Sequence, residues 1–152
     1  MLAKAIQHYT LRGNFRRAAT HQQNLAELLE LEIGDMKKAI EAYELAGDWF
    51  QGDNAEALAN KVYLKVADLA ALEEMYPKAI EKYEEVARSS AGNNLMKWSM
   101  KDYFFKAGIC HLASGDNIAF NRALGGYIDL DPSFTSTREH QLLVVCSSYP
   151  YP

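Results

Sequence analysis

Two lysine pairs are the residues best placed to do chemistry in this chain: Lys61 with Lys65, and Lys97 with Lys101. Positions four apart on a helix share a face, so each pair aims two ammonium groups the same way. Leu95 and Trp98 lie three apart beside the second pair, and Lys101 is three beyond Trp98. Such a set suits non-covalent recognition of an acidic, rod-like partner, with Leu95 and Trp98 as apolar anchors in a basic frame. If the first helices of successive helix pairs line one side of a stack, the lysines form a ladder on it. The same spacing is met by solubilising lysines and a packed Trp98, because helical lysines are mostly exposed for no particular reason. Spacing alone leaves both readings open.

Covalent chemistry finds less support. There is no phosphate loop, no GxSxG and no His-Glu-x-x-His. Cys110 and His111 are adjacent, and adjacent helix positions do not face one another. Joining them to His140 and Cys146 at a metal matches no zinc-site spacing, so a buried small thiol beside a partly exposed imidazole is expected. Glu27, Glu30, Glu41 and Glu44 offer carboxylates at helical spacing, but paired carboxylates are catalytic only in a shaped pocket, and a solvated face is expected. His8 and His21 have no recognisable nucleophile to serve. The reading is a binding protein, not an enzyme, with no catalytic residue, metal or cofactor.

The elements that must carry these residues are helices. Lys-Ala-Ile-x-x-Tyr occurs at Lys4, Lys38 and Lys78, in steps of 34 and 40 residues. A 34-residue step is the tetratricopeptide spacing, in which a helix pair buries its apolar stripe jointly with its neighbours. Apolar periodicity predicts helices at Leu2 to Leu11, Phe15 to Ile33, Met36 to Phe50, Ala55 to Met75, Pro77 to about Arg88, Leu95 to Ala113 and Ile118 to Leu130. Asp35 and Asp116 are expected as caps, Gly52-Asp53-Asn54 as a turn with a new cap, and Ser89 to Asn94 as the longest loop. Thr135 to Val145 is a candidate final helix, and the two prolines after Ser148 cannot extend it. The fold class is therefore all-α: a tetratricopeptide-like superhelical stack of antiparallel helix hairpins, about seven helices over residues 1–143. Residues 144–152 are expected to be a divergent, disordered tail.

Bulk properties agree. The 152 residues are 49% hydrophobic and 24% charged, which fits one folded domain. No apolar run approaches the roughly 20 residues of a membrane span, and the start does not read as a secretory signal. Two cysteines make no disulfide framework and are expected to be reduced, as in the cytosol. The net charge of −4 hides alternation. Residues 1–26 hold Lys4, Arg12, Arg16 and Arg17 and no acid, whereas residues 27–56 hold nine acids against Lys37 and Lys38. The pattern is a poor match to a nucleic-acid binder, which would be basic overall.

Beyond this patterning, several motifs resemble one family. Trp98-Ser99-Met100-Lys101-Asp102-Tyr103-Phe104-Phe105-Lys106-Ala107-Gly108 is similar to the KDYFFKA signature of the alpha-SNAP family, soluble attachment proteins of the N-ethylmaleimide-sensitive fusion ATPase. Gly13 to Ala19, Lys38-Ala39-Ile40…Tyr43-Glu44, Ala59-Asn60-Lys61…Lys65-Val66-Ala67 and Asp131-Pro132-Ser133-Phe134…Arg138-Glu139 follow in the family's order, and the likeness covers roughly residues 2–143. It implies a right-handed superhelical adaptor in vesicle trafficking, cytoplasmic and peripheral to endomembranes. Its concave basic face would bind the SNARE four-helix bundle, including a syntaxin-like subunit, and several copies would recruit the hexameric ATPase. The family's SNARE-contacting residues match Lys61, Lys65, Leu95, Trp98 and Lys101, which makes the ladder the favoured reading. Arg16 and Arg17 are candidate additional basic contacts, because Asn14 and Thr20 replace basic residues of the family, and Lys97 is a third through its spacing with Lys101. The resemblance also implies helices before Met1 with an apolar membrane-touching loop, and a C-terminal domain that engages the ATPase. Neither is in this sequence, so truncation at both ends is expected, with the ATPase contact weakened or lost. The alternatives are a generic tetratricopeptide scaffold, gripping a carboxylate through Asn60 and Lys61, and a non-functional truncated product.

Overall fold

The structure, a computed structural model, describes residues 2–148, which form eight α-helices and no strand. The chain divides into two compact units, Met1–Glu73 and Glu74–Pro152. The first holds α1 (Leu2–Leu11), α2 (Phe15–Leu28), a π-turn (Leu29–Ile33), α3 (Met36–Gly52) and α4 (Glu56–Leu72). The second holds α5 (Tyr76–Ala91), α6 (Lys97–Ser114), α7 (Asn117–Leu130), a 3-10 helix (Pro132–Ser136) and α8 (Arg138–Ser148). Within the first unit each helix packs on the next, and short connections make such neighbours antiparallel hairpins.

The repeated motif does the packing its spacing implied. Ala39, Ile40 and Tyr43 are all buried in α3, Ala79 and Tyr83 in α5, and Ile6 in α1. Small residues let the helices approach closely, and two glycines mark the tightest places. A Cβ on Gly47 of α3 would lie 2.5 Å from the Tyr63 ring of α4. A Cβ on Gly108 of α6 would lie 2.8 Å from the Leu143 methyls of α8. In the second unit Phe104 stacks on Tyr127 with ring centres 4.7 Å apart and meets Phe134 edge-on at 5.3 Å. This aromatic core ties α6 to α7 and to the 3-10 helix.

Several expectations are corrected. The α-helices number eight among the described residues, where about seven were expected, and the eighth, over residues 138–148, is the candidate final helix of Thr135 to Val145 with its bounds shifted by three residues. That helix continues through Ser148, so Val144 to Ser148 are helical where a disordered tail was expected. Leu143 in its middle is fully buried against Gly108, which anchors it. Residues 149–152 of that tail lie outside the described residues. The second helix does not stay α-helical to Ile33, since Leu29–Ile33 winds as a π-turn. The expected loop at Ser89 begins later: α5 runs to Ala91, where the buried Ser90 hydroxyl donates to the Val86 carbonyl at 2.8 Å. Asp35 and Asp116 cap α3 and α7, accepting from Lys38 N at 3.2 Å and Ala119 N at 2.9 Å. At α4 no side chain caps the start, where Ala55 holds the cap position.

Candidate partner-binding site

Each unit carries one groove that holds a sequence-predicted lysine pair. In the first unit Lys61 and Lys65, on the exposed edge of α4, line a groove of about 360 Å³ with Gln23, Glu27, Glu30 and Leu31. Val62, Tyr63 and Val66 on the same helix are buried, and this leaves the lysines at the surface. The groove floor is shaped by the π-turn. Its Gly34 N–H donates to the Leu29 carbonyl at 2.9 Å, one residue beyond the α-helical partner. The widened turn brings Glu30 inward and leaves Leu31 78% exposed.

Glu30 occupies Lys65. The Lys65 ammonium lies 2.8 Å from Glu30 Oε1, and the Tyr43 hydroxyl donates to Glu30 Oε2 at 2.8 Å. Burial works to raise the Glu30 carboxyl, but the bonds from Lys65 and Tyr43 and the Lys65 charge outweigh it and hold the group below its ordinary value. Burial, with the bond to Glu30, pushes the Tyr43 phenol well up, so Tyr43 stays a protonated donor. Glu27 and Glu30 face Lys61 and Lys65, so this groove carries two acids against two bases.

In the second unit Lys97, Trp98 and Lys101 come together in a groove of about 420 Å³. Its opposite wall is the 3-10 helix, which supplies Ser133 and Ser136, with Thr137 and Asp131 at its ends. Asp131 Oδ1 is engaged by the Ser133 N–H at 3.1 Å and hydroxyl at 2.6 Å. The α6 helix reaches past the aromatic core at this end. Met100 and Phe104 are buried, whereas Trp98 is 81% exposed and Leu95, in the turn before α6, is 89% exposed. Trp98 therefore does not pack into the core of the described residues.

The other candidates fall elsewhere. Arg16 Nε pairs with Asp53 Oδ2 at 2.8 Å, and the Arg17 guanidinium lies 5.8 Å from the Tyr9 ring centre. Neither lines the Lys61–Lys65 groove. Asn60 is buried in the α3–α4 hairpin, so an Asn60–Lys61 carboxylate grip has no surface asparagine to use. His21 stacks on Tyr9 at 5.4 Å. Cys110 is buried and Cys146 exposed, and neither forms a disulfide. Among the described residues no helix is long and apolar enough to cross a membrane.

Sequence reasoning missed Leu31 and the Glu30–Lys65 pair. Leu31 sits in a run that reads as continuous α-helix. Only the π-turn, which the following glycine at position 34 weakly signals, turns it outward.

Residues 1–148 match the family model described as soluble NSF attachment protein. The chain belongs to the soluble NSF attachment protein family. A family relative, the probable vesicular-fusion protein sec17 homolog of Schizosaccharomyces pombe, is 56% identical over 143 residues, covering 94% of this chain and 50% of the relative. The alpha-soluble NSF attachment proteins of Saccharomyces cerevisiae and Homo sapiens are 46% and 43% identical over 142 residues each. Those matches cover 93% of this chain, and 49% and 48% of the two relatives. The chain thus spans about half the length of the curated family members it matches.

Proposed function

We propose that this chain is a SNARE-binding adaptor of vesicle trafficking that acts by contact, not catalysis. It would supply the SNARE contact of an adaptor that presents assembled bundles to the N-ethylmaleimide-sensitive fusion ATPase, from the cytoplasmic side of endomembranes. Family membership supports this reading, as do the names of relatives as vesicular-fusion and attachment proteins.

The observation that carries it is the exposure of Leu95 and Trp98 beside Lys97 and Lys101. Two large apolar side chains stand almost wholly in water although a packed core lies a turn away. Covering such side chains in a complex is worth roughly 1.5–3 kcal/mol each, enough to anchor a helical partner. The groove of the first unit repeats the composition, with exposed Leu31 beside Lys61 and Lys65. A SNARE bundle is a rod of helices with acidic surface, and it offers apolar and carboxylate groups to both.

The test is a titration of assembled SNARE bundle with wild type, Lys61→Glu/Lys65→Glu and Trp98→Ala. Both variants should bind less, and the wild-type complex should weaken as salt rises, because rim charges are screened within about 10 Å at 0.1 M salt. Equal retention of all three proteins would sink the site. Preferential binding of a short acidic peptide over the bundle would favour a generic scaffold instead.

A further inference from the structure

Lys65 is the one lysine of the proposed site shown with a close carboxylate partner inside the same groove. Its side chain is 44% exposed, yet its ammonium rests on Glu30, whose side chain is only 11% exposed. Three features make this contact built rather than incidental. The π-turn, an element often found at functional sites, turns Glu30 inward. The Tyr43 hydroxyl pins the second carboxylate oxygen, so the first is left facing Lys65. Tyr43 itself is buried and belongs to the repeated Lys-Ala-Ile-x-x-Tyr motif, so the strut is part of the hairpin core.

We propose that Glu30 is an internal competitor for Lys65: a latch that a partner carboxylate must displace before Lys65 contributes to binding. The inference rests on the SNARE-binding reading and adds a regulation of that same groove. In the free protein the Glu30 charge cancels the Lys65 charge at short range, while Lys61 stands at the surface across the groove from the exposed Glu27. Once the partner's carboxylate sits beside the groove, the Lys65 stem swings on α4 from a part-buried acceptor to an exposed one. Glu30 keeps its bond from Tyr43 throughout. The latch therefore lowers affinity, and it favours partners that place a carboxylate at this groove over those that merely carry negative charge.

The test is a double-mutant cycle on the full chain, titrating assembled SNARE bundle into wild type, Glu30→Gln, Lys65→Ala and Glu30→Gln/Lys65→Ala. Glutamine retains an acceptor for the Tyr43 hydroxyl and removes the charge that holds Lys65. Glu30→Gln should bind roughly five-fold tighter, the scale of one part-exposed ion pair, and the gain should vanish when Lys65 is alanine. No gain, weaker binding by a cooperatively melting Glu30→Gln, or a gain that survives in the alanine background would overturn the latch. Should Glu30→Gln not melt cooperatively, the charge swap Glu30→Lys/Lys65→Glu decides. A latch that opens would then present a glutamate to the partner and bind more weakly than wild type, whereas equal binding means the pair never opens. If wild type binds and Lys61→Glu weakens it while Glu30→Gln changes nothing, the latch alone fails. If wild type does not bind the bundle, the site reading fails and the latch with it.

Discussion

The Tyr127 hydroxyl donates a 2.7 Å hydrogen bond to the Glu84 carboxylate, tying α7 to α5 across 43 residues of sequence. His111 Nε2 stands 3.5 Å from the same oxygen, and the Arg88 guanidinium 3.8 Å from the other. Burial works to raise the Glu84 carboxyl, but His111, Tyr127 and the Arg88 charge outweigh it and lower the group below its ordinary value. Burial and the Glu84 charge push the Tyr127 phenol far up, so it remains a donor at every working pH.

A carboxyl whose folded-state value lies below its unfolded value stabilises the fold fully above the ordinary carboxylate range and loses that contribution as pH falls through the folded value. The Glu84 contribution to the second unit should therefore be fully present above about pH 5 and be lost progressively below about pH 4. Tyr127→Phe should cost about 1–2 kcal/mol at neutral pH and flatten the acid limb, because it removes a donor to the charged form. Thermal melts of both proteins across this range check it, and identical acid limbs would refute the role of Tyr127.

Gly47→Ala should destabilise the first unit, although alanine is the better helix former by about 1 kcal/mol. The new methyl would meet the Tyr63 ring at 2.5 Å, and that ring is fully buried with its hydroxyl bonded to Asp48 at 2.6 Å, so it has nowhere to turn. Overpacking of this kind costs about 1–3 kcal/mol and outweighs the propensity gain. Gly108→Ala should cost less, since its neighbours are the rotatable methyls of Leu143. Chemical denaturation of the two variants gives the order directly, and a stabilised Gly47→Ala would contradict it.

Trp98→Ala and Leu95→Ala should leave the melting temperature nearly unchanged, because both side chains are in water in the free protein. Exposed substitutions away from caps and cores stay within about 0.5 kcal/mol. Each should nonetheless weaken bundle binding by roughly ten-fold, the worth of one covered apolar side chain. A large loss of thermal stability in either variant would return Trp98 or Leu95 to a packing role.

Leu31→Ser carries the same expectation for the first unit. Stability should hold and bundle affinity should fall by about ten-fold, since Leu31 lines the Lys61–Lys65 groove from the exposed side of the π-turn. Isothermal titration against wild type reads both the affinity and the heat of binding. Unchanged affinity would place the partner on α4 alone.

Much of the helical order was legible in the chain because it follows from local chemistry. Asp35 and Asp116 cap because a short acid before an apolar period satisfies free helix N–H groups. The Lys-Ala-Ile-x-x-Tyr copies sit in the core because alanine and isoleucine at that spacing make one apolar face. Ser90 and Leu29 to Ile33 were not legible: a buried hydroxyl bonding back to Val86 and an extra residue in a turn leave no periodic mark. The final helix was only half legible, since its burial depends on Leu143 finding Gly108.

By itself the sequence determined the all-α class, the hairpin repeat, the family and the lysine pairs, since each is a matter of residue type at fixed spacing. Only the tertiary structure decided what those residues are free to do. Whether Trp98 packs or stands in water depends on where the Phe104–Tyr127–Phe134 core ends, and whether Lys65 is free depends on a carboxylate 35 positions earlier. Spacing sets which side chains share a helix face, but burial and pairing are set by what the folded chain brings against that face.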